Sequence, residues 1–240
     1  MKLLVSGCSF SSGFGFNSTT LERNWPNQLA KRLGATLTNV AQPGYDNPGI
    51  FINFMEQIIK EDFDVCLLQM SGIDRIVLSP NWNGFRLCSA INISNGVLSD
   101  NEYNSWYKRF LILNQHCVHW DKLRKILTII ENLNNQGKYI RVINGLLGWD
   151  QELFTHPAKS KFLNRLIDID NIPDGDIDRL RTLVYNQTKS IDLNLWINPF
   201  NSFIDLQIDN ILPNDSHPGL KSHDIYAELV FNYLTENKNA

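Results

Sequence analysis

MKLLVSGCSF, residues Met1 to Phe10, opens with a short run from Lys2 to Val5 that breaks at Ser6-Gly7-Cys8-Ser9 and passes directly into a Gly-rich loop, Ser11 to Arg23. A buried strand that ends at a glycine and presents a serine is how α/β proteins place a side chain at the carboxyl edge of a sheet. Working outward, Asn24-Trp25-Pro26 predicts a helix start with a capping Asn and a proline in the first turn, and Gly34 a stop. Its apolar face is Trp25, Leu29, Ala30 and Leu33. Leu37 to Val40 reads as a second strand and Pro48 to Lys60 as a helix with Ile52, Met55, Ile58 and Ile59 inward. Asp64 to Met70 is an almost unbroken apolar run, as expected of a central parallel strand covered on both faces. The order β-α-β-α-β by residue 70 predicts an α/β fold, a three-layer α/β/α sandwich with a mostly parallel, doubly wound sheet.

Beyond residue 70 the pattern loosens. Residues 75 to 115 read as an insertion after the third strand, with a turn at Asn81-Trp82-Asn83-Gly84 and short strands at Phe85-Arg86-Leu87 and Ile91-Asn92-Ile93. A long helix from Tyr103 through Leu133 leads to a fourth strand, Lys138 to Ile143. A mostly helical acidic stretch, 150 to 190, follows. The final helix, Ser222 to Thr235, carries Ile225, Leu229, Val230 and Tyr233 on one face. With no repeat, low-complexity tract or linker, residues 1–240 read as one domain.

Composition narrows the function classes. The chain has 240 residues, is 43% hydrophobic and 20% charged, and carries a formal charge of −3. That charge gives no electrostatic footprint for nucleic acid or an anionic membrane. The four cysteines, Cys8, Cys66, Cys88 and Cys117, are widely spaced without a C-x-x-C pair, so no zinc site or disulfide framework is expected. Val5-Ser6-Gly7-Cys8 imitates a lipoprotein cleavage box, but only Leu3-Leu4-Val5 could serve as its hydrophobic region. With no signal peptide and no membrane span, a cytoplasmic location is expected.

The chemistry-bearing residues stand at the two ends of the chain. Ser9 follows the first strand, and Asp215-Ser216-His217-Pro218 lies close to the C-terminus. A serine, a histidine and a carboxylate brought together can form a nucleophilic triad, which is recognised by roles and not by chain order. Imidazole is the side chain able to take a proton near neutral pH, and Pro218 stiffens its loop.

These blocks resemble the SGNH (GDSL-like) hydrolases. Gly7-Cys8-Ser9-Phe10 is similar to the family's first block, with Cys8 where an Asp is common. Asn39-Val40-Ala41-Gln42-Pro43-Gly44 is similar to the second and Asp215-Ser216-His217-Pro218 to the last. The resemblance implies a serine hydrolase acting on a short acyl or acetyl ester, of a small molecule or a glycan. Ser9 would be the nucleophile, His217 the base, Asp215 the orienting acid, and Gly44 an oxyanion donor, with no metal or other cofactor. Two positions depart from the pattern. The acid usually stands three residues before the histidine, where this chain has Asn214, so the role falls to Asp215. The third block, normally Gly-x-Asn-Asp, reads Ser71-Gly72-Ile73-Asp74, and Ile73 cannot donate. The missing oxyanion donor is therefore expected from Asn47, Ser71 or Gln69, with Asn47 preferred because it shares a turn with Gly44.

Two other readings remain open: a non-catalytic glycan-binding or scaffolding member of the same fold, and an O-acyltransferase using the same triad. Trp82, Phe85 and Trp106 would suit a sugar-stacking platform. His116-x-x-His119-x-Asp121 has metal-like spacing but lacks a Glu base, and the Gly7 to Gly15 loop matches neither phosphate-binding glycine pattern. His223 reads as a structural residue.

Overall fold

The computed structural model describes residues 1–72, 120–147, 149–164, 174–212 and 217–237, with the backbone alone at 75–77, 87–89 and 174–176. Five strands form one parallel sheet in the order β2-β1-β3-β6-β7: β1 Lys2–Ser6, β2 Thr36–Asn39, β3 Val65–Met70, β6 Ile140–Asn144 and β7 Trp196–Ile197. Every residue of β3 is buried, as its continuous apolar run requires between two helical layers. A separate antiparallel pair, β4 (Arg75–Val77) with β5 (Leu87–Ser89), follows β3 where the insertion is expected. The expected strand at Ile91-Asn92-Ile93 and the aromatic platform of Trp82, Phe85 and Trp106 lie outside the described residues, as do His116 and His119.

The chain runs from β1 outward to β2, then returns across β1 to β3 and continues to β6 and β7. Right-handed crossovers in opposite directions put α2 (Trp25–Leu33) and α3 (Asn47–Lys60) on opposite faces of the sheet. They also leave a crevice beyond the carboxyl ends of β1 and β3, where ligands of open α/β sheets bind. Around it lie the loops carrying Ser9, Gly44 and Ser71.

Local chemistry explains the helix boundaries. The Asn24 side chain accepts the Asn27 N–H at 3.0 Å, and Gly34 closes α2 in the left-handed region at φ 61°. For α3 the cap is Asp46, accepting the Gly49 N–H at 2.9 Å, so the helix begins at Asn47 rather than Pro48. The inward face differs in part from the expected one, with Met55 and Ile58 half-buried as expected. Ile50 and Phe54 are buried, whereas Ile52 and Ile59 are 57% and 79% exposed. The C-terminal helix runs Leu220–Glu236 and buries Tyr226, Ala227, Val230 and Leu234, with Ile225, Leu229 and Tyr233 half-buried beside them. It lies against α2: Arg23 and Gln28 both reach Asp224, at 3.1 and 2.8 Å. The helix expected from Tyr103 is described over 120–135. No helix among the described residues is long and apolar enough to cross a membrane.

Candidate active site

Sequence led us to expect an open loop from Ser11 onward. The structure instead winds Ser9–Ser12 into one helical turn, α1. The Cys8 carbonyl accepts both the Ser11 and Ser12 N–H at 3.0 Å, and Gly13, at φ 76°, ends the turn in a conformation few other residues adopt. Ser9 is 4% exposed at the start of this turn. Ser11 Oγ donates to Gln69 Oε1 at 2.7 Å and Ser12 Oγ to the Ser9 carbonyl at 3.2 Å. Among the described residues the Ser9 hydroxyl makes no hydrogen bond.

The second loop is tied to the first. Gln42 N–H donates to the Gly7 carbonyl at 3.0 Å, and Asn39 Nδ2 to the Ser11 carbonyl at 2.8 Å. Gly44 is buried at φ 86°, a conformation that favours glycine. Its turn closes through Tyr45 N–H on Gln42 O, and among the described residues Gly44 N–H makes no hydrogen bond.

Asn47 and Ser71 form a reciprocal pair. Ser71 N–H donates to Asn47 Oδ1 at 2.7 Å, and Asn47 Nδ2 donates to Ser71 O at 3.3 Å. One amide hydrogen of Asn47 is thus engaged in joining α3 to the end of β3, leaving the second. Ser71 Oγ is buried without a partner among the described residues. Gln69 differs: it is fully buried, and Nε2 faces both Met70 O at 2.9 Å and Cys8 Sγ at 3.3 Å. Both of its amide hydrogens face partners of the protein itself.

His217 arrives on a short antiparallel ladder. Ile211 N–H donates to His217 O at 3.0 Å, Gly219 N–H donates to Asp209 O at 2.9 Å, and Asn210 bridges Pro218. The His217 ring packs against Phe10 (centroids 6.0 Å apart), within α1, and Phe14 (4.7 Å), just after it. His217 therefore lies against the turn that carries Ser9. Asp215 and Asn214 lie outside the described residues, as do Ile73 and Asp74.

Sequence reasoning missed Asp209. Its carboxylate accepts Lys221 N–H (3.0 Å), Ser222 N–H (2.8 Å) and Ser222 Oγ–H (2.5 Å), satisfying the first-turn N–H groups of the C-terminal helix from across the loop. Burial pushes its carboxyl pKa up, but the hydrogen bonds from Ser222 and Lys221 together hold it below the usual carboxylate range. Its partners lie more than ten positions away, so no local pattern announces it. His223 is a structural residue: its Nδ1 accepts the Trp25 N–H at 3.0 Å, and burial lowers its pKa to about 4. Cys8 and Cys66 are buried free thiols, and burial raises Cys66 to about 12. Asp121 pairs with Arg124 and Lys125, and no cluster able to hold a metal occurs among the described residues.

No family model matches the chain, and no curated protein matches it. Solved structures do. The protein is similar to TesA (14% identity, 98% of this chain and 99% of that one, TM-score 0.51). It is similar also to the psychrotrophic esterase EstA from Pseudoalteromonas sp., in a structure inhibited by monoethylphosphonate (12%, 100% and 99%, 0.50). A member of the lipolytic G-D-S-L family from Veillonella parvula aligns at 14% identity over 98% of each chain, with a TM-score of 0.46. The fold is that of the SGNH hydrolases.

Proposed function

We propose that the protein is a serine esterase of the SGNH type acting on short acyl esters. Ser9 Oγ attacks the acyl carbon while His217 takes its proton. The imidazolium then returns that proton to the departing alcohol, and water repeats the sequence on the acyl-enzyme. Asp215 orients the imidazole. The N–H groups of Ser9 and Gly44 receive the developing oxyanion, and the second amide hydrogen of Asn47 takes the place that Ile73 leaves empty.

The observation that carries this reading is the packing of His217 on Phe10 and Phe14, around a serine whose hydroxyl no described residue occupies. The unused Gly44 N–H supports it, as does a fold shared with TesA and with an esterase that a phosphonate inhibits. The acyl group is taken as short, with acetyl on a small molecule or a glycan as the substrate class. The test is hydrolysis of p-nitrophenyl acetate by the parent and by Ser9→Ala. Turnover lost in the variant is expected. Equal turnover removes Ser9 from the mechanism, and an inactive parent that binds acetylated glycans returns the protein to the binding class.

A further inference from the structure

The most heavily engaged polar group near Ser9 is one that the mechanism above does not use. Gln69 stands at the carboxyl end of β3, fully buried, with its carboxamide beneath α1. Oε1 accepts from the Cys8 N–H (3.3 Å) and from Ser11 Oγ (2.7 Å). Nε2 donates to Met70 O (2.9 Å) and faces Cys8 Sγ (3.3 Å). Cys8 is the residue before Ser9 and Ser11 the second after it, so one carboxamide holds the backbone just before the serine and a side chain just after it.

Two glycines keep room for it. A Cβ at Gly7 would stand 2.7 Å from Oε1, and one at Gly145 would stand 1.9 Å from Nε2. Only a carboxamide fits the set of partners. A carboxylate has no hydrogen for Met70 O, and an apolar side chain of the same length takes away the acceptor of the Cys8 N–H and of Ser11 Oγ, although Met70 O keeps the Gly145 N–H at 3.2 Å.

We propose that Gln69 is a positioning residue: held between Gly7 and Gly145, it sets the angle at which α1 presents Ser9. The role rests on Ser9 being the nucleophile. It predicts an effect on turnover and not on substrate affinity, because a displacement of about 1 Å at a reacting group costs on the order of 10²-fold in rate.

The experiment compares the parent, Gln69→Met and Ser11→Ala. It follows hydrolysis of p-nitrophenyl acetate and the rate at which a fluorophosphonate captures Ser9, with circular dichroism giving the folded fraction. Per folded molecule, kcat and capture rate should fall roughly 10–100-fold in Gln69→Met and about 3–10-fold in Ser11→Ala, with KM changed by less than about twofold. A folded Gln69→Met whose kcat stays within about twofold of the parent overturns the positioning role and leaves Ser9 as nucleophile. A parent that neither turns over nor is captured overturns both. Should Gln69→Met not fold, Ser11→Ala at full kcat overturns the role.

Discussion

The two halves of the site are held by opposite means. The serine turn stands on the interior: Gln69, Ser11 and Cys8 are fully buried, and their hydrogen bonds lie beneath α1. His217 is held at the surface by a ladder whose anchor is the half-exposed Asp209, capping the C-terminal helix. A buried polar junction is intolerant of added atoms, because close-packed interiors have no slack and every group in it needs its partner. A cap at a helix end is worth less, since water can replace what it supplies. Ser9 should therefore be rigidly held and costly to perturb, and His217 easier to dislodge while the fold survives.

The largest effect should come from the interior side. In Gly145→Ala the new Cβ meets Gln69 Nε2 at 1.9 Å and the Met70 carbonyl at 2.4 Å, and the second of these is backbone. Overpacking of this kind should cost about 3 kcal/mol or more, a fall of roughly 10 °C in Tm. A melting curve matching the parent's would mean that the junction under α1 is loose.

The next effect tests the joint between the halves, where the C-terminal helix meets α2 through His223 and Trp25. His223 has a folded-state pKa of about 4 against an ordinary value of 6.5, so the unfolded chain binds the extra proton. The contribution is fully present above pH 6.5 and is lost as pH falls toward 4. It amounts to roughly 3 kcal/mol over that window. Asp209, with its lowered pKa, contributes its own loss only further into acid. Denaturant unfolding should show the parent losing that much more than His223→Gln between neutral pH and pH 4. Parallel losses would remove His223 as the cause.

The smallest change in stability should fall on the surface side. Asp209→Ala removes the acceptor of the Lys221 and Ser222 N–H groups and should cost about 1–2 kcal/mol. Turnover should fall about tenfold all the same, since misplacing the base acts on the reaction itself. Full turnover in this variant would show that the ladder alone suffices to place His217.

How much of this was legible in the sequence follows the same division. The central strands announced themselves because a run such as Val65 to Met70, buried on both faces, must be apolar throughout. Asn24 and Gly34 were readable because a helix is capped by its neighbours in sequence. Ser9, Gly44 and His217 stood out as chemistry beside glycine or proline. The α3 face was misplaced in part because apolar residues occur all round this helix: Ile50, Phe54, Met55 and Ile58 share the core side at helical spacing, while Ile52 and Ile59 stand exposed. Gln69 was singled out only as a donor, and neither its partners nor those of Asp209 carried a local sign. Gln69 is defined by glycines on two other strand ends, Asp209 by a helix start more than ten positions on. Sequence periodicity sees neighbours along the chain, and both residues work between neighbours in space.

The central claim is that Ser9 is a nucleophile served by His217. The most direct measurement is fluorophosphonate labelling followed by peptide mapping, in the parent and in His217→Ala. The account predicts a phosphonyl adduct on Ser9 alone, formed at least about 10²-fold more slowly in His217→Ala. An adduct on Ser11 or Ser12, or one on Ser9 that forms equally fast without His217, would contradict it.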